Sequence, residues 1–248
     1  MNEKPTGFIL INKPKDWTSH DVVGYLRKVT HIKKIGHAGT LDPFATGLLI
    51  VGIGREATKR LDEFKTMKKT YVATLKLGAT SDTYDGTGKT TYHTTHNTKQ
   101  GDNGAMEQCN NSPTQEQITA TLKSFVGRQN QIPPMYSAKK INGKKLYELA
   151  RKGIEIERKP NEIEIYNIEL LKNMHSPLQG EGQGEVVILV SCSSGTYIRS
   201  LAHDIGQKLG CGAYCEELER TSIGKYTLEN AQELSELTGS NFQSKLFV

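Results

Sequence analysis

Cysteine is scarce: four residues in 248, Cys109, Cys192, Cys211 and Cys215, scattered apart from one C-G-A-Y-C pair. That excludes a disulfide framework and leaves free thiols in a reducing compartment as the expectation. Zinc held by Cys211, Cys215 and His203 would need a second Cys/His pair at ligand spacing, and none is present, so no metal is expected. Long apolar runs are also missing. The opening MNEKPTGFILINKPKDW has no small-residue cleavage site and no membrane-length stretch, so a cytoplasmic protein is expected. No internal repeat occurs, which excludes solenoids and propellers. The glycine-rich segment GHAGTLDPFATGLL (36–49) contains one carboxylate, Asp42, and no second acid beside it. The nearest acids, Asp21 and Glu56, fall in segments that read as helices. An ordinary glycosidase, which needs two carboxylates across the scissile bond, therefore gains no support.

What is present suffices for one principal domain: 35% of the residues are hydrophobic, and 32 Lys+Arg against 27 Asp+Glu give a net charge of +5. That balance suits an anionic partner. GFILIN (7–12), LLIVGIG (48–54), KTYVATLKLG (69–78), NEIEIYNIELL (161–171) and EVVILVSC (185–192) read as strands. Helical spacing marks HDVVGYLRKV with Ser19 as its cap, REATKRLDEF, and PTQEQITATLKSFVG with a Thr114/Gln117 capping box. It also marks YIRSLAHDIGQKLG, placing Arg199 in a first helical turn, and TLENAQELSEL before a frayed polar tail. SPLQGEGQG is a glycine-rich connection, and residues 87–113 are polar without period, a surface loop or disordered insertion. Residues 128–160 mix many Lys and Arg with Tyr136 and Tyr147, the composition of either a protruding basic arm or an ordinary solvated helix.

Three apparent motifs fail. G-T-G-K-T (86–90) has Thr83 where a phosphate loop needs glycine. S-A-K-K (137–140) has none of the partner motifs of its hydrolase class. HTTH (93–96) lacks the glutamate of a zinc protease. The Asp42 loop is more informative. Pro43 disfavours an α conformation at Asp42, and Gly36, Gly39 and Gly47 permit tight turns, so the carboxylate should stand at a loop apex. For the loop alone, a side chain capping its own turn is the simpler account.

The surrounding motifs reverse that preference. NKPKDWTSHDVV, GHAGTLDPFATGLLIVGIGREATK, KTYVATLKLGATSDTYDGTG, IPPMYSAKKINGKKLYELARKGIEIERKP, CSSGTYIRSLAHDIG and LGCGAYCEELERTSIG run in order across residues 7–237 and together resemble the TruB family of tRNA pseudouridine synthases. The resemblance implies an α+β pseudouridine synthase fold. Its central sheet is mixed but largely antiparallel, flanked by helices, with an inserted RNA-binding thumb at about 128–160 and one catalytic domain over 1–248. It implies conversion of uridine 55 in the tRNA T-loop to pseudouridine, without cofactor or metal. Asp42 would be the catalytic aspartate, adding covalently or assisting proton removal, and Arg199 would pair with it. Tyr71 would pack on the target uracil, with Tyr197 and Leu218 lining its pocket. His37 would stack into the T-loop where the nucleotide flips out, and Lys13 would support the catalytic loop. The implied partner is the tRNA T-arm, with a monomer that needs no membrane or obligatory protein. A guide-dependent box H/ACA-type synthase and a non-catalytic tRNA-folding helper are the alternatives.

The chain departs from the family pattern at Asn12, where DKP is usual, at L-E-R (218–220), where LRR is common, and in its long insertion after Gly88. Bacterial members usually continue into a PUA domain, whereas this sequence stops soon after SELTGSNFQSKLFV, so weak contact with the acceptor end is expected. An isolated T-arm hairpin should then approach whole tRNA in kcat/KM; a large loss on the hairpin in a side-by-side rate measurement would contradict this.

Overall fold

The computed structural model describes residues 5–93, 113–137, 139–141, 143–175 and 184–248. Most of the polar insertion, including His96 and Cys109, and most of the SPLQGEGQG connection lie outside the described residues. The fold is mixed α+β with mostly antiparallel strand pairing. The chain divides into two compact units, residues 1–72 with 218–248 and residues 73–217.

The first unit opens with β1 (Gly7–Lys13), α1 (Ser19–Thr30), β2 (Ile35–Ala38), β3 (Thr46–Ile53), α2 (Arg55–Lys59) and α3 (Asp62–Lys65). β4 (Lys69–Leu77) begins here and ends in the second unit. β3 pairs antiparallel with β1, from Gly7↔Ile53 to Lys13↔Gly47, and with β2, from Ile35↔Ile53 to Ala38↔Ile50. The two-residue period of these strands sorts their side chains between two cores. Ile9, Ile11, Leu49, Val51 and Ile53 pack with Val22, Val23 and Leu26 of α1, while Phe8, Leu10, Leu48 and Ile50 pack with Ala57, Leu61 and Phe64. Two covered faces explain why TGLLIVGI is nearly all apolar rather than alternating.

Two of the N-terminal helix expectations need correction. Thr18, not Ser19, caps α1: its hydroxyl accepts from the Asp21 N–H at 3.0 Å, and the Asp21 carboxylate accepts from the Thr18 N–H at 2.8 Å. Ser19 is unavailable because its hydroxyl is bonded to Leu41. REATKRLDEF is two short helices, since the chain turns at Arg60, whose N–H bonds the Ala57 carbonyl, and delivers Leu61 and Phe64 to the core.

The second unit continues with β5 (Ala79–Ser81), β6 (Thr90–Tyr92), α4 (Gln115–Lys123), β7 (Gly127–Gln131), β8 (Lys140–Ile141), β9 (Lys144–Lys145), α5 (Leu146–Ala150), β10 (Asn161–His175), β11 (Gly184–Cys192) and α6 (Ile198–Leu209). Thr114 and Gln117 form the expected capping box on α4. In this unit the strand order is β4-β11-β10-β7, with β10 antiparallel to both neighbours. The basic segment begins later than its composition suggests. Arg128–Gln131 belong to β7, and Gln131 faces Asn161 in the ladder, so the excursion spans 132–160. β12 (Ala213–Ile223) starts in this unit and returns the chain to the first.

There β12 runs parallel to β3, with Glu219↔Thr46 and Arg220↔Gly47, and β13 (Tyr226–Thr227) pairs with β12. The expected C-terminal helix is instead two 3-10 turns, Leu228–Asn230 and Leu234–Glu236, around β14 (Gln232–Glu233). β14 pairs with Ile11 and Asn12, which commits its backbone to a sheet edge, while Leu234 and Leu237 enter the core. Nor is the tail frayed: Phe242 is buried, and Phe247 exchanges backbone hydrogen bonds with Phe8 at 2.7 and 2.9 Å.

Gly206 on α6 has no room for a side chain, because a Cβ would sit 2.0 Å from the Ala213 nitrogen. Gly206→Ala should therefore cost about 3 kcal/mol or more, against about 1 kcal/mol for Thr18→Ala, which removes only a cap. Urea midpoints at unchanged m-value measure both.

Candidate active site

The loop between β2 and β3 presents Asp42, which is half-buried between buried Leu41 and exposed Pro43. Backbone bonds hold it from several sides. The Ser19 hydroxyl accepts from the Leu41 N–H at 3.0 Å and donates to the Leu41 carbonyl at 3.3 Å. The Asp16 N–H donates to the Pro43 carbonyl at 2.8 Å, and the Ala45 N–H to the Asp42 carbonyl at 3.2 Å. Lys13, at the end of β1 and fully buried, donates from Nζ to Trp17, Pro14 and Pro43 carbonyls at 2.6, 2.8 and 3.1 Å. On the other leg, Gly47 lies against the β12 backbone so closely that a Cβ would be 2.4 Å from the Arg220 carbonyl oxygen. The carboxylate thus stands on a rigid apex.

Burial pulls the Lys13 ammonium down to about 8, against the attraction of Asp16 and Asp42 and with a smaller push from Arg220. His37, on β2 five residues before Asp42, is lowered to about 4, chiefly by burial and then by the charges of His20, Arg220 and Lys65. Its ring is neutral at pH 7, meets the His20 ring edge-on at 5.7 Å, and has a buried Nδ1 without a hydrogen-bond partner among the described residues. Tyr71 on β4 and Leu218 on β12 are buried, at 8% and 7% exposure. The first unit therefore holds five of the expected residues: Lys13, His37, Asp42, Tyr71 and Leu218.

The second unit holds Tyr197 and Arg199. Tyr197 is the N-cap of α6, and its backbone is clamped by buried Gln131: the Tyr197 N–H donates to Gln131 Oε1 at 2.8 Å and Gln131 Nε2 donates to the Tyr197 carbonyl at 3.0 Å. Arg199, in the first turn of α6, is 3% exposed. Its Nη1 donates to Asp85 Oδ2 at 3.0 Å and to the Thr83 carbonyl at 2.8 Å, and its Nη2 to the Tyr136 carbonyl at 2.7 Å. Asp85 in turn accepts from the Thr83 and Thr87 hydroxyls and the Thr87 N–H. Beside this pair the Tyr84 ring stacks on His203 at 4.1 Å, and burial raises Asp204 to about 6.

Ser19, Asp85, Gln131 and Arg220 are structural members of these sites that the sequence reading missed. Arg220 had a signal: it lies two residues after Leu218, on the same face of a strand whose alternate positions are buried. Among the described residues, no cluster of three or more His, Cys, Asp or Glu is placed to hold a metal, and no helix is long and apolar enough to cross a membrane.

Lys13 yields a pH signature. Its folded value, about 8, lies below the ordinary 10.5, so the unfolded chain binds more protons between those values. Stability should therefore rise with pH from about 8 toward 10.5. Lys13→Met should abolish that slope in urea melts taken across the window.

The comparisons agree with this architecture. The N-terminal domain model of TruB family pseudouridylate synthases matches residues 27–198, and the tRNA pseudouridylate synthase B C-terminal domain model matches 199–245. The tRNA pseudouridine synthase B of Protochlamydia amoebophila is 44% identical over 241 residues, covering 97% of this chain and 83% of that protein. The protein of the same name from Clostridium tetani is 45% identical over 237 residues, covering 96% and 74%. Among solved structures, a chain of a Cbf5-Nop10-Gar1 complex superposes with a TM-score of 0.65 at 29% identity, covering 93% of this chain. This chain spans about half the length of that one, 53%. On these matches, the chain belongs to the TruB family of pseudouridylate synthases.

Proposed function

We propose that the chain isomerises uridine 55 in the T-loop of tRNA to pseudouridine, with Asp42 as the catalytic group and no cofactor. The observation that carries this reading is the Asp42 loop, where one carboxylate is held at a fixed apex by Ser19 and Lys13 within the motif GHAGTLDP. Kinship with proteins named tRNA pseudouridine synthase B supports the substrate class. The reaction breaks the C1′–N1 bond, turns the uracil, forms C1′–C5, releases the C5 proton to solvent and takes a proton on N1, so the product is an isomer of the substrate. The detached base is itself the nucleophile for re-attachment, so a single carboxylate suffices and no water-activating partner is needed. Water would be harmful, because hydrolysis at C1′ would leave an abasic nucleotide.

The remaining roles follow the family likeness. Tyr71 packs on the uracil, Tyr197 and Leu218 line its pocket, and Arg199 orients Asp42. A neutral, desolvated His37 ring is suited to stacking where the nucleotide has left the loop. The basic excursion at 132–160 contacts phosphates, so kcat/KM falls as salt rises. The enzyme acts as a monomer on the T-arm without a protein partner.

Asp42→Asn should lower tritium release from 5-tritiated uridine in tRNA on the order of 10³-fold or more, with tRNA affinity within about threefold. Persistent turnover would remove Asp42 as the catalyst and favour a folding helper. The likeness to a chain of the Cbf5-Nop10-Gar1 complex raises a second reading, a guide-dependent synthase. Pseudouridine mapped in unmodified tRNA after incubation with the purified chain alone would decide against it.

A further inference from the structure

Arg220 is one of the largest fully buried side chains, 1% exposed, in the middle of β12. Its Nε donates to the Leu48 carbonyl at 2.8 Å and its Nη2 to the Gly39 carbonyl at 3.0 Å. Those two carbonyls bracket Asp42: Gly39 directly follows β2, and Leu48 lies two residues into β3. Both acceptors are neutral, so neither bond balances the guanidinium charge. Burying a cation on carbonyls alone is an expensive way to gain two hydrogen bonds, which an apolar strand position would not need. Lysine, a single point donor, could not span the two legs, whereas the planar fork does so with its geometry preset. Ser19 and Lys13 meanwhile bind Leu41 and Pro43, near the apex. The loop is thus fixed at its tip from one direction and at both legs from another.

We propose that Arg220 is a positioning residue for the isomerisation: by tying the two legs of the loop together it fixes the Asp42 carboxylate in its reacting geometry, and so governs turnover rather than RNA affinity. The inference rests on Asp42 being the catalyst. Its charge also reaches the loop's neighbours, since it helps lower both Lys13 and His37. A displacement of about 1 Å at a reacting group costs on the order of 10²-fold, which sets the scale of the effect.

The test compares Arg220→Lys, Arg220→Gln, Asp42→Asn and the unaltered chain in one tritium-release assay on T-arm tRNA, well below the melting temperature, with rates expressed per folded molecule from circular dichroism melts. Both Arg220 variants should lose about 10- to 100-fold in kcat, with KM and tRNA affinity within about threefold and lysine no better than partial rescue. Folded Arg220 variants with kcat within twofold of the unaltered chain would overturn the proposal. So would a rise in KM at constant kcat, which would make Arg220 an RNA-binding support instead. Activity in Asp42→Asn would overturn the catalytic assignment itself and is read independently. If neither Arg220 variant folds, Gly39→Ala replaces them. Gly39 has φ +79, and its Cβ would lie 3.5 Å from Arg220 Nη1, so the variant strains that leg while leaving Arg220 in place. It should lower kcat at constant KM, and an unchanged kcat would overturn the proposal.

Discussion

The Asp42 loop in the first unit is held by two buried cations that bind backbone carbonyls, Lys13 and Arg220. Each is almost fully buried and satisfies carbonyls of the loop or the segments beside it. The cost of burying them is met by the hydrophobic packing of β1 and β3 on both faces, so the strongest part of the unit supports its most polar part. That dependence explains the near absence of polar side chains in β3 and the close approach of β3 to β12 at Gly47. Loosening either cation would take a donor away from several carbonyls of the loop and the segments beside it.

The second unit solves a related problem with an ion pair. Arg199 and Asp85 face one another at 3.0 Å with 3% and 5% of their side chains exposed; Arg199 also donates to the Thr83 and Tyr136 carbonyls, and Asp85 accepts from the Thr83 hydroxyl and the Thr87 N–H. A pair buried this deeply contributes little net stability over an apolar substitute of similar shape, but losing one partner strands the other. Its return is specificity of geometry. The first turn of α6 and the segment Thr83–Thr87 are locked to each other, and Gln131 fixes the Tyr197 backbone one residue before that turn.

How much of this was legible depended on whether one element determined the outcome. The strands 7–12, 69–78 and 185–192 and the capping box of α4 follow from local patterning, and they stand where composition and period put them. Ser19 was misread as a cap because Thr18 and Ser19 are equally good in isolation; the choice turns on Leu41, which is distant in sequence. The C-terminal segment has helical spacing, yet β1 offers its edge to Gln232 and Glu233, and pairing outweighs a weak local preference. Asp85 and Arg220 were hidden for the same reason. Their partners, Arg199 and the 39–48 loop, lie more than a hundred residues away, and a charged residue in a polar-looking motif reads as surface until those partners are in place. The motif residues Asp42 and Arg199 were picked out by family likeness, not by any local physical signal.

The basic excursion has both ends fixed by one rung of the ladder, Gln131 opposite Asn161. Inside it the Ile132 and Tyr136 carbonyls accept from the Ser200 hydroxyl and from Arg199 Nη2, so its first residues are tied to the first turn of α6. A change of length beyond Tyr136 therefore adds only a slowly growing entropy of loop closure, whereas a change at 132–136 is felt by Arg199 and α6.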